Sequence, residues 1–286
     1  MGRSREQDQL VRQLVESVRY EVLPTRAVAE ELHEHVPVGR TVTVTASPRA
    51  GLEETLALSV RLAEGGYDVV PHLAARMVRG RSELKEVVDR LATAGIRRIF
   101  VPGGDATPTE QTYQCALELL QDLRDLGHPF DEIGITGYPE SHPAIDDDVT
   151  VQSMWDKRHY ATHVVSNLCP SADTVVSWLH RLRRRGMLLP VYVGVPGPVE
   201  RTKLVAMASR IGVSQSARFL AGHRFLFARL AAPGGFRPER FLHDLAPGLQ
   251  WSEAGVAGIH LYTFNQVARA ERWRREMSAR LGDLAG

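Results

Sequence analysis

A glutamate lies inside an otherwise apolar run, Tyr20-Glu21-Val22-Leu23-Pro24. A carboxyl group withdrawn from water has its pKa raised, so it can hold and deliver a proton near neutrality. The alternative is structural pairing of Glu21 with an arginine. Further along, His72 follows Pro71, and Asp105 ends Val101-Pro102-Gly103-Gly104-Asp105. Tyr138, Glu140 and His142 come from Gly137-Tyr138-Pro139-Glu140-Ser141-His142-Pro143; Asn167 closes an apolar run, and Tyr262, Thr263 and Asn265 follow the last one. The two glycines before Asp105 read in two ways. They form a tight turn in which the aspartate bonds its own backbone, or they let a flat ligand approach while the carboxylate reads its N–H groups. His72 and His142 read first as structural groups. Even with Asp105 as a third donor they lack a His-x-His or His-Glu-x-x-His pattern, so no metal is expected. Gly103-Gly104 is not a dinucleotide fingerprint, and there is no Walker lysine loop.

These residues punctuate a regular alternation. Short apolar runs, predicted as strands, cover Ser17–Val22, Thr41–Ala46, Tyr67–His72, Arg97–Val101, Glu132–Thr136, His163–Asn167, Pro190–Val195 and Val256–Leu261. They lack strict polar alternation, as strands buried on both faces do. Helical spacing covers Arg5–Glu16, Gly51–Glu64, Ser82–Ala94 (with Ser82 as N-cap), Thr109–Leu126, Asp146–His159, Ala172–Arg185, Val199–Ile211, Phe236–Leu245 and Gln266–Leu281. Gly212–Gly235 reads as a long excursion before the final strand. Repeated β-then-α units over 286 residues predict one domain, residues 1–286, a (β/α)₈ TIM barrel with an extra N-terminal helix. A doubly wound open sheet is the alternative, because local pattern does not reveal closure. In a barrel every residue named above faces the mouth at the carboxyl ends of the strands.

Composition excludes several classes. Hydrophobic residues make up 43% and charged residues 24%, with a formal charge of +1, so nothing draws the chain to nucleic acid or an anionic membrane. The basic runs His180–Arg185 and Arg272–Arg275 read as solvated helix ends. Two cysteines, Cys115 and Cys169, are too few for a disulfide scaffold. No run approaches the length of a membrane span, and the charged Met1–Gln13 lacks a secretory core. A cytoplasmic enzyme, without nucleic-acid or membrane partners and compatible with a monomer, is the expectation.

The ordered motifs resemble the methylenetetrahydrofolate reductase family. Tyr20-Glu21-Val22-Leu23-Pro24 resembles that family's Phe-Glu-Phe-Phe-Pro, Pro71-His72-Leu73 its Pro-His-Leu, and Gly103-Gly104-Asp105 its Arg-Gly-Asp. Tyr138-Pro139-Glu140-Ser141-His142-Pro143 is similar to Tyr-Pro-Glu-x-His-Pro. Lys157-Arg158 matches Lys-Arg, and His260-Leu261-Tyr262-Thr263-Phe264-Asn265 resembles the closing Phe-Tyr-Thr-Leu-Asn. The resemblance implies a barrel that carries FAD and reduces the methylene group of a folate with electrons from a nicotinamide. It implies Glu21 as the acid that opens the five-membered ring to an iminium, and Asp105 as the group facing the pterin. Asn167, in the place of a family glutamine, Tyr262 and Thr202 would line the substrate, and His72, Gly104, Tyr138 and His142 the cofactor.

The departures concentrate on the flavin. The arginine of Arg-Gly-Asp is Gly103, Ser47-Pro48 replaces Tyr-Gly, and His159 replaces a lysine. Gln152 or Val151, and Trp155, stand where the family presents an aspartate and an asparagine. Thr202 replaces a stacking aromatic. A bulky indole and lost cations disfavour FAD. The expectation is therefore hydride transfer from NADH, or NADPH, directly to the folate. An FAD-dependent version of the same reaction and a non-catalytic folate- or nucleotide-binding barrel are the alternatives.

Overall fold

The computed structural model describes residues 4–140, 146–199, 236–251 and 253–283. Eight parallel strands run β1 Arg19–Val22, β2 Thr41–Val44, β3 Asp68–Pro71, β4 Arg98–Val101, β5 Glu132–Gly137, β6 His163–Ser166, β7 Val191–Pro196 and β8 Val256–Tyr262. Their order is β3-β2-β1-β8-β7-β6-β5-β4. The seam between β3 and β4 is closed by a parallel bridge, His72 to Phe100. Leu73 N–H donates to Phe100 O at 2.8 Å, and Ala75 N–H to Pro102 O at 3.0 Å. The sheet is a (β/α)₈ barrel, not the open alternative.

The described helices are α1 Arg5–Glu16, α2 Val28–His35, α3 Leu52–Glu64, α4 Gly80–Thr93, α5 Ala116–Leu126, α6 Asp147–Lys157, α7 Ala172–Arg184, α8 Pro238–Leu245 and α9 Val267–Asp283. A reciprocal capping box between Ser4 and Gln7 starts the extra N-terminal helix α1. One added helix and two boundaries correct the sequence reading. Helix α2 was not expected; it has only eight residues and no side-chain cap, and is held by burial of Val28, Ala29 and Leu32. Helix α4 starts at Gly80, so Ser82 lies within its first turn, and the Glu83 carboxylate takes the Arg79 N–H instead. Helix α5 starts at Ala116 rather than Thr109. The Thr112 hydroxyl accepts the Thr109 N–H at 2.9 Å and the Gln114 amide donates to Thr109 O at 2.7 Å, a local network that competes with helix. The predicted helix Val199–Ile211, apart from its first residue, and the excursion Gly212–Gly235 lie outside the described residues.

The barrel interior is layered. At its amino end, Arg19 donates to Glu132 at 2.7 Å and stacks 3.6 Å over the Tyr192 ring. Arg98 bridges Glu132 and Asp68, and Asp68 accepts from Thr41 at 2.7 Å. This network ties six strands into a polar floor. Val70, Phe100 and Val165, with Tyr192, make an apolar layer. Between strands and helices lies the main core, including Val42, Val44, Leu62, Leu91, Ile99, Leu123, Ile135 and Leu179.

The basic runs are not simply solvated helix ends. The buried Arg183 guanidinium donates to the carbonyl oxygens of Met187, Glu253, Leu189 and Ala254. Arg274 lies within α9 and forms a buried two-bond pair with Glu271, both at 2.8 Å; Glu271 also accepts from the Tyr20 hydroxyl. These cations join elements that the linear pattern leaves unconnected.

Candidate active site at the mouth of the barrel

Residue alternation on β1 turns Tyr20 outward to Glu271 and Glu21 inward. Glu21 Oε2 lies 2.7 Å from His260 Nε2, with the histidine side chain 2% exposed and the glutamate side chain 16%. The backbone of Glu21 is fixed too: its carbonyl accepts the Thr263 hydroxyl at 2.5 Å. Beyond it, Asn265 clamps Leu23, taking its N–H at 2.8 Å and donating to its carbonyl at 3.1 Å. Phe264 and Asn265 have φ of 51° and 54°, a left-handed turn that asparagine tolerates and a bulky residue adopts at a cost. The closing motif thus serves to lock β8 onto β1 around Glu21.

His72 sits beside this pair. Its ring packs edge-on to Phe100 at 4.7 Å and lies 6.1 Å from the His260 ring, centroid to centroid. Burial, with the neighbouring His260 as a second contribution, holds its pKa well below the ordinary histidine value. His72 Nε2, His260 Nδ1 and the Thr43 hydroxyl are buried without a hydrogen-bond partner among the described residues.

The Tyr262 hydroxyl is pushed well up by burial and by the charge of Glu21. It lies 3.4 Å from the Ser166 carbonyl. Its ring approaches Gly194, where a Cβ would stand 2.9 Å from it. Tyr138 is also raised, first by burial, and Asp105 adds to the shift. Tyr262 thus lies within electrostatic reach of Glu21 and Tyr138, and Tyr138 within reach of Asp105. Asp105 is exposed on the rim. Among the described residues its carboxylate accepts no hydrogen bond, so the self-bonded turn is not formed. Gly104 has φ of 87°, and an added Cβ would lie 2.9 Å from that of Ala74; the turn requires glycine there. Asn167 lies at the carboxyl end of β6, its amide oxygen accepting the Leu168 N–H at 2.9 Å. His142 and Thr202 lie outside the described residues.

Sequence reading missed His260 as a partner of Glu21. The available signal was register: His260 stands two residues before the inward Tyr262 on one strand. At the positions that differ from the resembled flavin site, the Arg158 guanidinium stacks 3.9 Å over the Trp155 ring and donates to the Trp155 carbonyl at 2.6 Å. Gly103 has open space, among the described residues, where a side chain would project.

A family model described as methylenetetrahydrofolate reductase matches residues 23–215. The chain belongs to the methylenetetrahydrofolate reductase family. The matched span contains His72, Asp105, Tyr138 and Asn167, whereas Glu21 and β8 fall beyond it. Methylenetetrahydrofolate reductase 2 of Saccharomyces cerevisiae (strain ATCC 204508 / S288c) is 23% identical over 125 residues, 40% of this chain. The matched region spans only 21% of that relative's length. A crystal structure of 2,3-dimethylmalate lyase, a PEP mutase/isocitrate lyase superfamily member, aligns with TM-score 0.52 and 11% identity, covering 98% of this chain and 88% of that one. That likeness concerns the fold alone. Among the described residues, no helix is long and apolar enough to cross a membrane.

Proposed function

We propose that this chain reduces 5,10-methylenetetrahydrofolate to 5-methyltetrahydrofolate, using a nicotinamide dinucleotide without a flavin relay. The observation that carries this reading is a largely buried Glu21 bonded to His260 at the barrel mouth in a member of this family. Glu21 gives its proton to N10 of the folate as the bond from N10 to the methylene carbon breaks, leaving an N5 iminium. The dihydronicotinamide supplies the hydride that fills the iminium carbon, and solvent returns a proton to Glu21. His260 fixes the carboxyl in place. Asp105, exposed on the rim, faces the N–H groups of the pterin, while Asn167 offers an amide donor and acceptor. Tyr138 and Tyr262 remain neutral phenols and wall the pocket. Closing this mouth over two flat ligands excludes water and aligns donor with acceptor.

The residues at the resembled flavin positions do not fit the dinucleotide. Gly103 offers no cation, and Arg158 is committed to Trp155 by stacking and by its bond to the carbonyl. The decisive experiment is anaerobic NADH oxidation with methylenetetrahydrofolate, with and without added FAD, on protein whose visible spectrum has been recorded. Folate-dependent turnover by colourless protein, unchanged by FAD, is expected. Stoichiometric FAD in the purified protein, or turnover only after its addition, overturns the flavin-free route. NADPH in place of NADH then defines the donor.

A further inference from the structure

We propose that Glu21, His72 and His260 form a binding site for a divalent transition-metal ion of the Zn²⁺ class, and that its occupation shuts off acid catalysis by Glu21. One donor atom from each of the three residues lies within 4.8 Å of the others. A tetrahedral ion with ligand bonds of about 2.0–2.2 Å sets its donors roughly 3.4 Å apart. The 2.7 Å contact between Glu21 and His260 therefore has to open slightly and the wider spacings to contract, which side-chain rotation allows.

The second observation is independent of that spacing. Among the described residues, His72 Nε2 is buried without a hydrogen-bond partner, on a residue only 5% exposed. An unpaired ring nitrogen away from water is costly and indicates an absent partner. Neutral imidazole is the form that binds metal. Two histidines and one carboxylate form a donor set suited to zinc or iron(II), with positions left for water. Hard cations such as Mg²⁺ prefer all-oxygen shells and are excluded by the two nitrogens. The three residues come from β1, the end of β3 and β8, so no linear spacing announces the site.

On binding, the ion takes lone pairs from the carboxylate and the two rings. The hydrogen bond between Glu21 and His260 gives way to the bonds each makes to the ion, and nothing is oxidised or reduced. Binding stands alone; the loss of activity rests on the function proposed above.

The test uses the full-length, untagged, metal-stripped protein with Co²⁺ as spectroscopic probe and Zn²⁺ in equilibrium dialysis. One ion per chain is expected, with intensified Co²⁺ absorption and no competition from Mg²⁺. Each of E21Q, H72Q and H260Q should weaken binding at least about tenfold, the loss seen even for outer partners of metal ligands; C115S and C169S should not. Absence of stoichiometric Co²⁺ in the unmutated protein overturns the site whether or not the variants fold, as does binding unchanged in well-folded variants. Reduction that persists at full Zn²⁺ occupancy leaves the site standing and overturns instead the role of Glu21 as acid.

Discussion

Glu21 and His260 meet at 2.7 Å across the β1–β8 junction, although 239 positions separate them in the chain. The contact joins a group able to move a proton to one that fixes its direction. E21Q keeps the shape and removes the acid, so turnover should fall by about 10²–10⁴-fold while folate affinity changes little. H260Q retains a donor and should keep more activity than H260L. Steady-state rates and ligand titrations on the three variants check this. A fully active E21Q would remove Glu21 from the chemistry.

The altered flavin positions are open to reversal. Among the described residues, nothing lies within 4 Å of where a Cβ on Gly103 would stand, and its φ is not left-handed, so G103R should be accommodated without strain. W155N releases Arg158 from its stacked position. The double variant should bind FAD at least about tenfold more tightly than the parent, the worth of one charge-assisted contact to a phosphate. Flavin fluorescence quenching measures it, and equal affinity for both proteins would disconnect these residues from flavin exclusion.

Most of the barrel was legible because its signals are local. Each apolar run lies within a few residues of an observed strand, and Arg5–Glu16 matches α1 at both ends. Glu21 was legible because a carboxylate in an apolar run has few explanations. His260 was not, because a histidine in a strand declares its partner only after the barrel closes and Glu21 stands across from it. The same holds for Arg183 and Arg274, whose partners are fixed by packing. Helix α2 was missed because eight residues with two histidines carry little periodic signal.

Arg183 is a structural keystone that reads as surface charge in one dimension. Its fork serves carbonyls from two loops, around Met187–Leu189 and Glu253–Ala254. R183M preserves the apolar stem but leaves several buried acceptors unpaired, and should destabilise the fold by about 2–3 kcal/mol. R183K, with a single point charge, should recover only part of this. Urea unfolding of both proteins provides the measure; wild-type stability for R183M would show that water satisfies these carbonyls.

Acid should weaken the fold well before carboxylates titrate. Burial, then the charge of Arg19, pushes His163 down to about 3 from an ordinary value of 6.5, and His72 is lowered as well, again chiefly by burial. Between those limits the unfolded chain carries a proton on His163 that the folded chain refuses. Stability therefore rises with pH across this window and falls on acidification, by up to about 1.4 kcal/mol per pH unit for each such histidine. Glu132 acts lower: burial raises its pKa, but the bond from Arg19 and the charges of Arg19 and Arg98 outweigh this and lower it. Its contribution is present above its unfolded value and lost as pH falls through the folded one. H163Q removes the His163 part and leaves that of His72, so its urea midpoint should decline less steeply from about pH 6.5 towards 4. Parallel decline in both proteins would mean that His163 takes up its proton within the folded barrel.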